Sequence, residues 1–365
     1  MQIMKTEPRA TTRLHAVDNL RIVLTVLVVS HHVAVTYGNI PLWFYTEPAK
    51  DPSGGLLDVL VSFNQAFFMG FFFLISGFFT PRSYDRKGGR AFMRDRLVRL
   101  GIPLLVFLFL LRPLINFSGY AEWAAPAGMP YWQYYIGSWD PGPMWFAEVL
   151  ILFALVYVFW RSRRRPLDQR SVPLGFGWIA LFVLGLAVAT FLWRIPVPTG
   201  TYVPVLGLPS PQCLPQYAAM FALGCVASRR GWFETLPAKA GPLGLVAAGV
   251  SSAVLVPAQY MTAGALSSAL TALWESVFAV SMIIGLTVVF RERFGGQGPR
   301  GRFLSDHAFT VYIIHPLVLV ALGYALSPVE AIAIVKFAVM LVIALPVCWA
   351  LAYAVRSLPG AKRVL

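Results

Sequence analysis

Long apolar segments recur along the whole chain, and they constrain its fold more than any other feature. Of the 365 residues, 58% are hydrophobic and 13% are charged, which is about half the charge of a typical soluble domain. Apolar stretches of roughly 17–25 residues are long enough to cross a bilayer as helices. Backbone groups in lipid must be hydrogen-bonded internally, so we expect an all-α polytopic membrane protein. The sequence predicts ten spans: 17–37, 61–80, 97–117, 143–160, 176–193, 213–228, 242–260, 269–290, 303–325 and 330–355.

The positions of the basic residues predict how the helices are oriented. If residues 1–16 are cytoplasmic, 25 of the 30 Lys and Arg fall on that side, and only Lys50 and Arg194 fall on the other. The positive-inside rule expects this asymmetry for an even number of spans with both termini in the cytoplasm. It also accounts for the net charge of +14 without a nucleic-acid partner. We expect one integral-membrane domain over 1–365, with a cytoplasmic tail at 356–365.

The cysteines give no sign of a disulfide framework or a metal centre. Cys213, Cys225 and Cys348 lie in or beside predicted spans and lack the spacing of metal ligands, so no metal is expected. The first apolar segment is too long for the core of a signal peptide and has no small-residue cleavage site. We therefore expect that segment to be retained as a span.

The first predicted span carries ionisable residues at depths that lipid penalises. Arg21 and His32 are eleven residues apart, so they share one helix face and are separated by about 16 Å along its axis. Asp18 lies on the same face and could pair with Arg21. A charge at the centre of a span costs roughly 2.5–3.5 kcal/mol, which favours a functional role. The alternatives are that Arg21 reaches the headgroups and that His32 bonds a neighbouring helix. His31 points about 100° away and fits such a structural role better.

A basic loop leads into the third span. Within 81–103, Arg96 and Arg99 are one helical turn apart, and each guanidinium can bind a pair of phosphate oxygens. The loop therefore fits a cytoplasmic ligand that carries phosphate groups. The alternative is an ordinary basic anchor for a helical hairpin.

Two further spans contain residues that are unusual in lipid. Ser76 and Gly77 interrupt an aromatic stretch and would allow two helices to approach closely. Trp145 is typical of the aromatic belt at a membrane interface. Glu148 lies about one turn deeper in the same span, where a carboxylate needs a partner or a cavity.

The ninth span contains a His-Pro pair. Pro316 has no N–H group, so it leaves one backbone carbonyl without its usual helical donor. His315 precedes it and either satisfies such local groups or takes part in a site.

Five sequence elements, spread along nearly the whole chain, resemble in kind and in order those of the integral-membrane acyltransferase-3 family. The first span and the Gly-Ile-Pro that follows the arginines are also similar to the glucan-biosynthesis protein C branch, whose members are assigned to succinylation of periplasmic glucans. Glu148 departs from the sequence pattern of that branch, so we do not carry the glucan substrate of the branch over to this chain. The matching elements are Arg21 and His32 as R-x10-H, FFFLISGFF (71–79), Arg96-Leu-Val-Arg99 followed by Pro103, PMWFAEVLILFALVY (143–157) and SDHAFTVYIIHPLVL (305–319).

The resemblance implies an O-acyltransferase of the bacterial plasma (inner) membrane. It would move an acyl group, usually acetyl, from cytoplasmic acyl-CoA to a hydroxyl of a carbohydrate or glycolipid acceptor on the extracytoplasmic side. Under this hypothesis His32 is the general base. The other candidate site residues are Arg21 and Glu148 for catalysis, Arg96, Arg99 and Arg21 for acyl-CoA binding, and Ser76, Trp145, Tyr312 and His315 for binding or orienting the acceptor.

A proton-coupled transporter is the main alternative function. Ten helices with intramembrane Arg, His, Glu and Lys are compatible with a transport path. The sequence shows no internal repeat, however, and no pair of matched broken helices. A transporter would move its substrate without consuming an acyl donor, so dependence on the donor separates the two functions.

Overall fold

The computed structural model describes residues 14–40, 42–164, 172–204 and 207–365, so most of the predicted N-terminal segment 1–16 lies outside the described residues. No β-strand occurs in these ranges beyond an isolated antiparallel bridge between Val203 and Leu208. The helices that carry the architecture are α1 (His15–Tyr37), α2 (Gly54–Lys87), α3 (Gly89–Ile115), α4 (Tyr131–Gly137), α5 (Trp145–Arg163), α6 (Phe176–Trp193), α7 (Leu214–Arg230), α8 (Ala240–Tyr260), α9 (Gly264–Arg293), α10 (Pro299–Leu326) and α11 (Ala333–Ser357).

Nine helical segments in the described part of the chain are long and apolar enough to cross a membrane. They coincide with nine of the ten predicted spans. The remaining span corresponds to α7, which has 17 residues and packs along α2. The all-α polytopic membrane fold predicted from hydropathy is therefore confirmed.

Close contact between α2 and α7 depends on two glycines. A Cβ atom added at Gly77 would lie 2.1 Å from the carbonyl oxygen of Phe221, and one added at Gly224 would lie 2.1 Å from that of Leu74. Distances this short exclude any side chain, so the two backbones meet directly. The contact confirms the close approach expected from Ser76-Gly77.

Helix α1 occupies the centre of the bundle. It contacts α2, α9, α10 and α11, and Leu24, Val29 and Val33 on it are completely buried. A helix surrounded on several sides needs apolar residues around most of its circumference, and α1 has them. Its polar exceptions therefore face other helices or internal cavities.

Helix α3 is interrupted by two wide turns, each next to a proline. The N–H of Ile102 donates to the carbonyl of Leu97, and the N–H of Arg112 donates to that of Phe107, five residues back in both cases. Pro103 and Pro113 follow these donors and cannot continue the regular ladder. The first of the resulting π turns begins directly after Arg96, and such turns are frequent at functional sites.

Candidate active site

Two histidines from opposite ends of the chain meet in the bundle. His315 Nε2 on α10 lies 3.2 Å from His32 Nδ1 on α1, and the ring centroids are 4.9 Å apart. His315 is completely buried. The structure therefore brings together two of the residues singled out in the sequence, 283 positions apart.

Backbone carbonyls determine which nitrogen of each ring carries the proton. Because Pro316 has no N–H, the carbonyl of Tyr312 lacks its helical donor, and it accepts instead from His315 Nδ1 at 2.7 Å. A neutral His315 then has its lone pair on Nε2. His32 Nδ1 lies 2.9 Å from the carbonyl of Val28, so it also carries a proton. His32 Nε2 is left as the basic nitrogen.

An aromatic residue that the sequence analysis did not single out covers this pair. The indole ring of Trp43 stacks on His32 with a centroid distance of 4.0 Å, and it lies nearly parallel to the ring of His315 at 5.9 Å. Trp43 Nε1 is buried and has no hydrogen-bond partner among the described residues. The only signal in the sequence is an aromatic run, WFY at 43–45, directly after the first span.

Polar contacts attach the loop that carries Trp43 to α11. Lys336 is nearly buried, and its Nζ lies 2.5 Å from Glu47 Oε1. The backbone N–H groups of Ala333 and Ile334 donate to Asp51 Oδ2 and Ser53 Oγ at 2.8 and 3.0 Å, which caps the first turn of α11 from outside the helix. These contacts fix the base of the loop.

A cavity of about 450 Å³, here called the arginine cavity, opens at the Arg21 end of α1. Arg21, Arg96 and Arg99 line it together, as the sequence analysis expects of a site for an anionic ligand. Arg96 Nη2 donates to Thr80 Oγ1 at 3.3 Å. Arg21 Nη1 lies 3.7 Å from Asp18 Oδ1, which confirms that predicted pair.

Further residues extend the wall of the arginine cavity. Ser76 and Tyr312, which the sequence analysis gives as candidates for binding or orienting the acceptor, line it. Arg356 on α11 and Leu365 also line it. Arg356 escaped the sequence analysis because it follows the last apolar span and resembles an ordinary cytoplasmic anchor.

A second cavity of about 430 Å³, here called the tryptophan cavity, lies at the His32 end of α1. His32, Trp43, Trp139 and Trp145 line it. Trp145 is 7% exposed and stacks on Tyr217 at 5.5 Å, so it belongs to the protein interior. The cavity thus has wide aromatic walls.

The polar part of the tryptophan cavity is formed by Asp140 and Tyr202, which both line it. The hydroxyl of Tyr202 donates to Asp140 Oδ2. Burial, followed by the adjacent carboxylate, raises the pKa of Tyr202, so its phenol stays protonated at neutral pH. Asp140 is the carboxylate that faces this cavity.

A layer of residues that contact one another separates the two cavities. Tyr312 lines the arginine cavity, and its hydroxyl donates to the carbonyl of Pro143, which lines the tryptophan cavity. Val28 also lines the arginine cavity, and its carbonyl bonds His32. Arg21 and His32 therefore face different cavities on either side of this layer.

Glu148 and His31 lie outside both sets of lining residues. Glu148 Oε2 is buried without a hydrogen-bond partner in the described part of the chain. His31 stacks on Phe68 with ring centroids 5.1 Å apart, in keeping with the structural role expected of it. The residue that the structure brings against His32 is His315.

The fold and the site define a multi-pass membrane protein with a histidine pair beside an aromatic cavity and a cationic cavity at the other end of the same helix. A family profile described as an acyltransferase domain matches residues 14–353, and the chain belongs to this integral-membrane acyltransferase family. It is therefore an acyltransferase that transfers groups other than aminoacyl groups. The family resemblance seen in the five sequence elements is confirmed.

Individual relatives agree with this assignment. The chain is 24% identical over 341 residues to "Glucans biosynthesis protein C" of Salmonella schwarzengrund (strain CVM19633), covering 87% of this chain and 85% of the relative. It is 24% identical over 345 residues to the protein of the same name from Escherichia coli O17:K52:H18, covering 88% and 86%. No solved structure is significantly similar to the chain.

Proposed function

We propose that this protein transfers an acyl group from cytoplasmic acyl-CoA to a hydroxyl of a carbohydrate or glycolipid at the extracytoplasmic face of the bacterial plasma membrane. The observation that carries the proposal is the placement of cavities along α1. A cationic cavity lies at its Arg21 end, and an aromatic cavity containing His32 lies at the other. The orientation follows from the basic loops, which assign the Arg21 end to the cytoplasm.

The arginine cavity suits the donor. The nucleotide part of acyl-CoA carries several phosphate groups, and planar guanidinium groups bind such oxygens in pairs. Arg21, Arg96 and Arg99 supply three of these groups around one opening. The long thin pantetheine arm would then cross the layer formed by Tyr312 and Pro143 and carry the thioester to His32.

His32 would act as the general base through Nε2. The hydroxyl oxygen of the acceptor attacks the thioester carbonyl carbon while His32 Nε2 takes the hydroxyl proton. The C–S bond then breaks, and the departing thiolate takes this proton from His32. The products are an ester and free CoA thiol, and no covalent acyl-enzyme is needed.

His315 would orient His32 and stabilise its protonated form. Its Nε2 accepts, at 3.2 Å, from the same His32 Nδ1–H that donates to the carbonyl of Val28, while its own Nδ1–H donates to the carbonyl of Tyr312. A hydrogen bond to the second nitrogen of a catalytic imidazole selects its tautomer and stabilises the imidazolium that forms during proton transfer.

The tryptophan cavity suits a sugar acceptor. Flat indole rings offer apolar contact to the carbon faces of a sugar ring, and Asp140 offers a charged acceptor to its hydroxyl groups. The name of the relatives points to glucans as one acceptor class. The transferred group is proposed to be acetyl, with succinyl as the alternative.

Replacement of His32 tests the mechanism. Membranes containing wild-type protein or His32→Ala receive radiolabelled acetyl-CoA, and label in membrane and secreted glycans is measured. Loss of a general base lowers the rate by about 10²–10⁴-fold. His31→Ala is the matched control and retains most activity, because His31 packs on Phe68.

Two outcomes would contradict the proposal. Full transfer by a folded His32→Ala protein would remove the proposed base. Movement of a glycan without consumption of acetyl-CoA would instead indicate a transporter.

A further inference from the structure

A third cavity, separate from both described above, forms a groove between α5 and α7. It measures about 440 Å³ and shares no lining residue with the arginine or the tryptophan cavity. Leu152, Val156 and Trp160 on its rim are 52%, 57% and 44% exposed. Exposed apolar side chains on a membrane span face lipid tails, so this groove opens sideways into the bilayer.

Among the described residues, two arginines that share one carboxylate close one end of the groove. Arg161 and Arg229 both line it. Arg229 Nη2 lies 2.5 Å from Asp85 Oδ2, and Arg161 Nη2 lies 3.6 Å from Asp85 Oδ1. Two positive charges and one negative charge leave a surplus of one positive charge at this end.

The surplus positive charge is poorly exposed to water. The side chains of Arg161 and Arg229 are 14% and 7% exposed, and Arg161 Nε is buried with no hydrogen-bond partner among the described residues. A buried charge without a full counter-charge is unfavourable. An anionic group placed here would supply the missing charge and accept from the open donor.

We propose that this groove binds an anionic phospholipid, with its phosphate at Arg161 and Arg229 and one acyl chain along the groove. The bilayer is the source of the ligand because the apolar part of the groove opens into it. The basic end lies on the side assigned to the cytoplasm, where basic pockets between helices bind lipid headgroups. Trp160 at the rim is typical of the level of the headgroups.

Charge variants of this cluster test the proposal. The full-length protein is purified from nanodiscs of equimolar phosphatidylcholine and phosphatidylglycerol, and retained lipids are counted by native mass spectrometry. Arg161→Gln removes the surplus charge while Asp85 keeps Arg229 as its partner. Asp85→Asn increases the surplus to two positive charges. Arg163→Gln is the matched control, because Arg163 is an exposed arginine on the same helix end, stacked on Phe159.

The two cluster variants, Arg161→Gln and Asp85→Asn, should change the retention of phosphatidylglycerol in opposite directions. Wild-type protein retains phosphatidylglycerol in preference to phosphatidylcholine. One basic residue near the surface changes anionic lipid binding by about fivefold, so retention falls by about that factor in Arg161→Gln and rises by a similar factor in Asp85→Asn. Arg163→Gln matches the wild type. Damage to the fold would instead lower retention in both cluster variants.

Thermal unfolding in detergent gives a second measure if a variant is poorly stable. Added phosphatidylglycerol should raise the melting temperature of Asp85→Asn by more than it raises that of the wild type. It should raise the melting temperature of Arg161→Gln by less. Equal retention of the two lipids by the wild type, or changes of the same sign in two variants that are correctly folded, would overturn the proposal.

Discussion

At the scale of single residues, the direction of each imidazole is decided by a backbone carbonyl. Pro316 removes one N–H from α10, and the carbonyl that loses its donor captures Nδ1 of His315. His315 thus both satisfies a local group and points its other nitrogen at His32. The sequence left two roles open for His315, bonding a local backbone group or taking part in a site, and this geometry allows both at once.

A residue-scale prediction follows for His315. His315→Ala should lower kcat by roughly one to two powers of ten, less than loss of the general base itself, with little change in the acceptor KM. His315→Gln should recover part of the loss, because its amide oxygen can accept from His32 Nδ1–H. Steady-state kinetics with acetyl-CoA and the acceptor glycan measure both parameters.

A lower kcat with an unchanged KM would indicate that His315 positions His32 and does not bind the acceptor. If His315 only maintains the fold, Ala and Gln variants would lose activity in parallel with their melting temperatures. Equal kcat values for wild type and His315→Ala would remove His315 from the mechanism.

At the scale of elements, the close contact between two helices depends on glycines, which have no side chain. α2 and α7 meet through Gly77 and Gly224, and Arg229 at the end of α7 pairs with Asp85 near the end of α2. The short α7 has too few residues to be a typical span by itself. Its packing against α2 keeps it within the bundle.

The glycine contact gives a prediction at this scale. Gly224→Ala should destabilise the protein by about 1–3 kcal/mol, the usual cost of overpacking, because the new Cβ would meet the carbonyl of Leu74. Gly249→Ala is the control, since nothing lies within 4 Å of a Cβ there. Thermal unfolding of the detergent-solubilised proteins measures the difference, and equal melting temperatures of the two variants would refute the tight contact.

At the scale of the whole molecule, the proposed reaction needs two cavities that open on opposite sides of the membrane. The tryptophan cavity is lined in part by the loop after α1, and the arginine cavity is lined in part by residues near both ends of the chain. This arrangement depends on the orientation that the basic loops predict.

Labelling with a membrane-impermeant maleimide tests that orientation. Lys50→Cys in the loop after α1 should react in intact cells, whereas Arg163→Cys at the end of α5 should react only after permeabilisation, since both positions are exposed and are predicted to lie on opposite sides. Wild-type protein is treated in the same way, and its labelling measures the reaction of the three native cysteines. Labelling of both variants from the same side would reject the predicted topology.

The sequence by itself determined the helices and the shared face of Arg21 and His32, and it predicts how the helices are oriented. These features depend on the length of apolar segments, on loop charge and on helical periodicity, all of which are local. Only the tertiary structure decided that His315 rather than Glu148 contacts His32, that Trp43 covers the pair, and that Tyr312 separates the cavities. Each of these contacts joins residues far apart along the chain, and the packing of whole helices determines which of them meet.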